Sequence, residues 1–140
     1  MSKLHTRPLA AADHELIDAA ERVIQQNYAY GWHHVGAAVR TSSGSIFTGI
    51  HLEANVGRIA VCAEAVALGK ALTAGERELE AVVAVAHPHP HEEGGCWVVA
   101  PCGMCRELIS DYAADAEVII PYQSKTAVCS MLDLLPEKYS

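Results

Sequence analysis

The sequence has no apolar run approaching the roughly 20 residues that a membrane-spanning helix requires. Its first residues, Met1 to His5, lack the apolar core found in signal peptides. Basic residues are few: 10 Lys and Arg stand against 17 Asp and Glu, giving a formal net charge of −7 with no basic stripe. We therefore expect a soluble, cytoplasmic protein that binds neither membranes nor nucleic acid, because phosphates are held by clustered positive charge.

The chain also lacks internal repeats, linkers and any sign of a second unit. Its 140 residues, of which 51% are hydrophobic, are enough to bury one core, so we expect a single domain over residues 1–140. Cysteine is scarce and odd in number: there are five, and three of them lie in close motif spacing. That pattern favours metal binding in a reducing compartment over a disulfide framework.

Hydrophobic periodicity predicts an α/β fold. The predicted elements, in order, are a helix at 13–28, a hairpin around the turn at 41–45, a helix at 61–74, a strand at 79–86, a loop at 87–95, a strand at 96–100, a helix at 102–113, a strand at 116–121 and a terminal helix at 127–135. The five strands are expected to form one mixed sheet, with helices able to cover both faces. The loop carries His87, His89 and His91 between prolines and is expected to be exposed.

The most informative motif is a split set of three cysteines and a glutamate. Cys62 and Glu64 are two residues apart, and Cys102 and Cys105 follow after a long gap in a Pro-Cys-Gly-Met-Cys segment. Three thiolates can hold zinc and leave its fourth position open, which distinguishes a catalytic zinc from a structural one. A glutamate so close to the first ligand cannot easily join the same tetrahedron, but it can reach a water in the open position. We therefore predict one zinc ion per subunit, held by the three cysteines, with Glu64 as the proton shuttle.

Both cysteine motifs are expected at the start of a helix. Cys102 and Cys105 are three residues apart, so their side chains fall on one helical face. Cys62 comes from the start of the other helix. The positive ends of two helix dipoles then lie near the thiolates, which is expected to lower the pKa values of the cysteines.

Each part of the motif has a simpler alternative. Cys102 and Cys105 alone could form a redox pair. Cys96 or Cys129 could complete a four-cysteine structural zinc site. Glu64 could be a solvated first-turn glutamate. The joint occurrence of the motifs favours the catalytic zinc, and Cys96 and Cys129 are interpreted as small buried hydrophobic residues.

The sequence resembles the cytidine deaminase family, of the small three-cysteine type. The likeness lies in Cys62-Ala63-Glu64 and Pro101-Cys102-Gly103-Met104-Cys105-Arg106, and it extends through Val35-Gly36-Ala37-Ala38, Ile46-Phe47-Thr48-Gly49 and Leu134-Leu135-Pro136. It implies a three-layer αβα fold, a homotetramer whose neighbouring subunits help to close each active site, and no cofactor besides zinc. The implied reaction is hydrolytic deamination of the 4-amino group of a cytosine nucleoside, as in pyrimidine salvage, with Glu64 carrying protons and ammonia leaving.

The resemblance also implies the substrate contacts, and here the sequence departs from the family. Glu53 matches a family glutamate that binds a ribose hydroxyl, but His51 stands where these enzymes have Asn. His33 stands where a Phe often packs against the substrate. Ala63, between the first cysteine and the glutamate, and Tyr139, near the C-terminus, complete the predicted substrate-binding set.

Further departures concern the charge at the zinc site and the substrate. Tetrameric cytidine deaminases mostly have Arg directly after the catalytic Glu, where this chain has Ala65. Blasticidin S deaminases place Arg inside the cysteine pair, where this chain has Met104, although the C-terminal Tyr139 resembles theirs. His34 is undecided between the pocket wall and packing at the strand end.

Three functions therefore stay open. The first is deamination of cytidine, deoxycytidine or an analogue. The second is deamination of an aminoacyl-nucleoside antibiotic of the blasticidin S kind, with the same zinc chemistry in a wider pocket. The third is a zinc-containing domain that has lost catalysis and binds nucleosides or a partner. An editing enzyme for nucleic acid is disfavoured, because it would need a basic groove.

Overall fold

The computed structural model describes residues 4–140, so the expectation for the first three residues lies outside the described part. The helices are α1 Ala11–Asn27, α2 Ala63–Thr73 and α3 Gly103–Tyr112, and the strands are β1 Val35–Thr41, β2 Ile46–Ile50, β3 Leu79–Ala86, β4 Trp97–Val99, β5 Glu117–Tyr122 and β6 Lys125–Ser130. Two short 3₁₀ helices lie at Gly57–Ile59 and Met131–Leu134. None of the helices in the described part of the chain is long and apolar enough to cross a membrane.

The strands form one mixed sheet in the order β2-β1-β3-β5-β6, and β4 pairs with the end of β3 beyond β5. The pairing of β3 with β5 is parallel and every other pairing is antiparallel. The predicted α/β fold with a mixed sheet is confirmed. The sheet has six strands where the sequence predicted five.

The core lies on both faces of this sheet. Along β3, Val82 and Ala84 face the side covered by α2 and α3, while Val83 and Val85 face the side covered by α1. This alternation follows from the period-two geometry of a strand, and a strand buried on both faces is apolar at nearly every position. The result is the expected three-layer arrangement, with α2 and α3 side by side on one face.

The predicted terminal helix at 127–135 is wrong. Its first part is β6, which pairs with β5 from Glu117 opposite Ser130 to Tyr122 opposite Lys125. The two strands are joined by Gln123 and Ser124, whose φ angles are +51° and +66°. Two successive positive φ angles make the tight turn that joins antiparallel strands, and Asn-Gly or Asp-Gly usually supplies them. Because this chain has Gln-Ser there, the sequence gives no hairpin signal.

A glycine in β2 allows α2 to lie unusually close to the sheet. A Cβ placed on Gly49 would lie 2.6 Å from the backbone nitrogen of Ala67 and 2.9 Å from the carbonyl oxygen of Ala63. Real Cβ atoms do not approach backbone so closely. The start of α2, which carries the Cys62 and Glu64 motif, is therefore positioned by this contact.

Candidate active site

The three motif cysteines come together at the starts of α2 and α3. Cys62 is the residue before α2, Cys102 is the residue before α3, and Cys105 lies in the first turn of α3. Their sulfur atoms all lie within 4.8 Å of one another, and the Sγ atoms of Cys62 and Cys102 are 3.4 Å apart. Two chain segments forty residues apart thus meet at one point, as the spacing predicted.

This geometry fits a zinc ion. Tetrahedral zinc binds thiolate sulfur at about 2.3 Å, which separates the sulfurs by roughly 3.8 Å, and a cluster with one separation of 3.4 Å and all separations within 4.8 Å is compatible with that value. Within residues 4–140, neither Cys96 nor Cys129 joins the cluster. The four-cysteine alternative is therefore unsupported. Cys129 is buried, as predicted, while Cys96 is only half-buried.

The pKa values of the thiols differ from the simple expectation of helix-dipole stabilisation. Burial raises the pKa of Cys62 to about 11, and burial together with the nearby Glu64 carboxyl raises the pKa of Cys105 well above its ordinary range. Only the pKa of Cys102 is lowered: burial opposes the shift, but hydrogen bonds from the backbone N–H of Cys105 and from Cys62 outweigh it. In the protein without a cation, desolvation therefore outweighs the helix dipoles at two of the three sulfurs.

Glu64 is buried beside the cysteines. It lies in the first turn of α2 and its side chain is 5% exposed, which excludes the alternative of a solvated glutamate. Burial raises the pKa of its carboxyl group above the ordinary value. A carboxyl group with a raised pKa holds a proton more readily than a solvated one, which suits a group that must both accept and release a proton.

The cavity beside these groups has a volume of about 240 Å³. Its walls combine metal-site residues with small apolar residues and two histidines: His34, Val35, His51, Cys62, Ala63, Glu64, Val99, Ala100 and Cys102. Apolar walls with a few convergent polar groups are typical of small-molecule sites.

The structure brings only part of the predicted substrate-binding set to this cavity. Ala63 and His51 line it. His33 does not: its Nδ1 donates a hydrogen bond to the carbonyl oxygen of His51 at 2.8 Å. Glu53 accepts a hydrogen bond from the backbone N–H of Ala54 at 2.9 Å and lies 3.8 Å from His51 Nε2, outside the wall. Tyr139 is 86% exposed and also lies outside the wall.

The structure decides one residue that the sequence analysis left open and adds one that it missed. His34, left undecided, lines the cavity. Arg106 holds the cysteine loop in place, since its Nε donates a hydrogen bond to the carbonyl oxygen of Pro101 at 2.8 Å and its Nη1 reaches that of Leu134 at 3.4 Å. Its position directly after the last cysteine of the motif was the feature of the sequence that could have indicated this role for Arg106.

Comparison with known proteins gives consistent matches. Residues 10–121 match the family model described as the cytidine and deoxycytidylate deaminase zinc-binding region. Blasticidin-S deaminase of Bacillus cereus is 44% identical over 138 residues, which is 98% of this chain and 99% of that one. A probable cytidine deaminase of Dictyostelium discoideum is 31% identical over 127 residues, covering 89% of this chain and 81% of that one. Among solved structures, cytidine deaminase from Burkholderia pseudomallei matches with a TM-score of 0.75 at 34% identity, covering 94% of this chain and 100% of that one.

Proposed function

Because the chain belongs to the cytidine and deoxycytidylate deaminase zinc-binding family, a family of hydrolytic deaminases acting on C–N bonds, we propose that it hydrolyses the 4-amino group of a cytosine nucleoside and releases ammonia. The observation that carries the proposal is the buried Glu64 beside a cluster of three cysteines, two of which, Cys62 and Cys102, line the same cavity as Glu64. Such a combination supplies a metal site and a proton carrier within reach of one bound ring.

Each residue of the site has a distinct task in this reaction. Cys62, Cys102 and Cys105 would hold zinc, which when bound supplies a Lewis acid that activates water at neutral pH. Glu64 would take a proton from the attacking water and deliver it to the ring nitrogen, and would then carry the second proton, from the new hydroxyl group on C4, to the leaving amino group. The balance is one water consumed and one ammonia released. Ala63, a small apolar residue of the cavity wall, would lie against the bound pyrimidine.

A panel of substrates tests this proposal. Zinc-loaded protein is mixed separately with cytidine, deoxycytidine and blasticidin S, and the loss of cytosine absorbance and the release of ammonia are followed together. At least one of the three should lose its amino group, with ammonia appearing in equal amount. If all three stay unchanged at high enzyme concentration, the proposed function is wrong.

A second candidate substrate is blasticidin S itself. The observation that favours it is the 44% identity to a blasticidin-S deaminase along nearly the whole of both chains, against 31% to the probable cytidine deaminase. The ratio of kcat/KM for blasticidin S to that for cytidine separates the two candidates. A ratio well above one supports the antibiotic, and a ratio well below one supports the simple nucleoside.

We further propose that the whole of residues 1–140 acts as one domain in a cytoplasmic homotetramer, in pyrimidine salvage if the substrate is cytidine. An apolar cleft of about 780 Å³ lies on the outer side of the metal site, between α2 and α3, and Val61, Met104 and Leu108 are among its lining residues. Met104 is 71% exposed, and an exposed apolar surface of this kind favours a contact with another subunit. Tyr139, outside its own cavity, is then free to reach that of a neighbour.

Light scattering after size-exclusion chromatography tests the assembly. The wild type should have four times the chain mass. Met104→Glu places a charge in the cleft and should give smaller species, while Lys125→Glu, at the exposed β5–β6 turn, should not. A wild type that elutes as a monomer contradicts the proposed tetramer.

A further inference from the structure

The wall of the cavity continues outwards as a cluster of imidazole and phenol rings. His34, in the cavity wall, meets His89 edge-on, with ring centroids 4.7 Å apart and an interplanar angle of 74°. His89 belongs to the loop between β3 and β4, and Tyr28 follows the end of α1. His89, which was expected to be exposed, is therefore half-buried and packs against His34, whereas His91 is exposed as predicted.

One nitrogen of His34 is already engaged. The backbone N–H of Gly31 donates a hydrogen bond to His34 Nε2 at 2.8 Å, and Gly31 has a φ of +86°, which glycine adopts without strain. Nε2 therefore carries no proton, and burial, with smaller contributions from His89 and His51, lowers the pKa of His34, which favours the neutral ring. With Nε2 accepting, the single ring proton sits on Nδ1. Within residues 4–140, no group accepts a hydrogen bond from that Nδ1–H.

His89, whose ring packs against His34, is in turn held by Tyr28. The hydroxyl of Tyr28 lies 3.0 Å from Nδ1 of His89. Burial raises the pKa of the Tyr28 phenol, so the hydroxyl keeps its proton, and it is within hydrogen-bond distance of the His89 ring. The ring of His87 stacks on that of Tyr28, with centroids 4.0 Å apart and an angle of 19°. Both histidines around Pro88 thus pack on one tyrosine.

We propose that His34 is a specificity-determining residue that donates a hydrogen bond from Nδ1–H to an oxygen on the sugar of the bound nucleoside, and that Tyr28 and His89 are positioning residues that hold it there. The inference rests on the proposed function. The amino group of the cytosine ring must lie at the end of the cavity beside Glu64, so the histidines of the wall remain for the sugar.

Tyr28→Phe removes one hydroxyl and keeps the ring that stacks on His87. We expect KM for the substrate that is turned over to rise roughly three- to tenfold, the effect of one lost or misplaced hydrogen bond, while kcat stays close to that of the wild type. His34→Ala should raise KM at least as much. Tyr30→Phe is the matched control: it removes a hydroxyl from a tyrosine of the same segment that is 68% exposed, and KM should not change.

The double variant decides whether Tyr28 acts through His34. If it does, Tyr28→Phe combined with His34→Ala has the KM of His34→Ala alone, because the residue that was being positioned is gone. Fully additive effects, or an unchanged KM in Tyr28→Phe, overturn the inference. Wild-type turnover in the same assay tests the proposed function separately.

A spectroscopic measurement needs no turnover at all. Long-range 1H–15N correlation spectra of the zinc-loaded protein identify which ring nitrogen of each histidine carries the proton. The inference requires the Nδ1–H form at His34 in the wild type, and a His34 signal that broadens or shifts in Tyr28→Phe but not in Tyr30→Phe. An Nε2–H form at His34 overturns it even if deamination fails.

Discussion

The close contact between β2 and α2 gives the sharpest structural prediction. Gly49→Ala adds a Cβ that would lie 2.6 Å from the backbone nitrogen of Ala67 and 2.9 Å from the carbonyl oxygen of Ala63. Both atoms belong to helix backbone, which cannot rotate away as a flexible side chain can. The helix as a whole must therefore move, and its first turn carries Glu64 and begins directly after Cys62.

The size of the effect follows from the costs of overpacking. Crowding of this kind destabilises a core by about 1–3 kcal/mol, and backbone contacts point to the upper part of that range. For a chain of this length each kcal/mol lowers Tm by roughly 2–4 °C, so a decrease of roughly 5–10 °C is expected. Displacing a catalytic group by about 1 Å can cost 100-fold in rate. A shift of a few tenths of an ångström should therefore lower kcat several-fold.

Calorimetry, zinc content and steady-state kinetics measure these effects together. Gly69→Ala is the control, since it lies in the same helix and a Cβ there meets nothing within 4 Å. Replacing a helical glycine by alanine in open space should stabilise the protein by about 0.5–1 kcal/mol. If Gly49→Ala keeps the Tm, zinc content and kcat of the wild type, the contact does not position α2.

The remaining predictions concern charge, metal and a turn. Asp13 is 1% exposed and its carboxylate lies 2.7 Å from Arg7 Nη1. Burial alone would raise the pKa of Asp13, but the hydrogen bond and charge of Arg7 lower it below the ordinary 3.8. Asp13→Asn should therefore lower the free energy of unfolding by about 2–4 kcal/mol at pH 7. That difference in the free energy of unfolding should shrink as the pH falls below 3.8 through the lower folded pKa; a difference independent of pH contradicts it. Zinc uptake at pH 7 should release protons from both Cys62 and Cys105, whose pKa values are raised. Calorimetry in buffers of different ionisation enthalpy counts the released protons. Zinc uptake without proton release would contradict the raised pKa values of the two thiols. Ser124→Gly, at a φ of +66°, should stabilise the protein by about 0.5–1 kcal/mol in denaturant unfolding; destabilisation contradicts the reasoning.

The metal site could be predicted because its residues lie in two short sequence motifs. A cysteine pair three residues apart and a cysteine two residues from a glutamate, each at the start of a helix, fix which side chains share a face. The structure shows the same two helix starts, with Cys62 and Cys102 at the residue before each helix. The pKa values of the thiols were not predictable in this way, because burial depends on what packs around the site.

The outer wall of the cavity could not be predicted, because contacts that sequence spacing does not encode bring its residues together. His33 and His34 are adjacent in sequence, but only His34 lines the cavity. His33 is held in the turn before β1, where its backbone exchanges two hydrogen bonds with that of Ala29. The packing of His89 on His34 joins residues 55 positions apart through a loop with no regular structure. The hairpin after β5 was missed for a different reason, since Gln123 and Ser124 rarely adopt the positive φ angles seen here.

The central claim is that the three cysteines hold zinc while the buried Glu64 moves the proton, and Glu64→Gln tests it most directly. The substitution keeps the size of the side chain and leaves all three cysteines in place. Ammonia release should be at least about 100-fold slower than in the wild type under single-turnover conditions, with zinc content unchanged at one ion per chain. A Glu64→Gln variant that deaminates at the wild-type rate with its zinc in place would contradict the account.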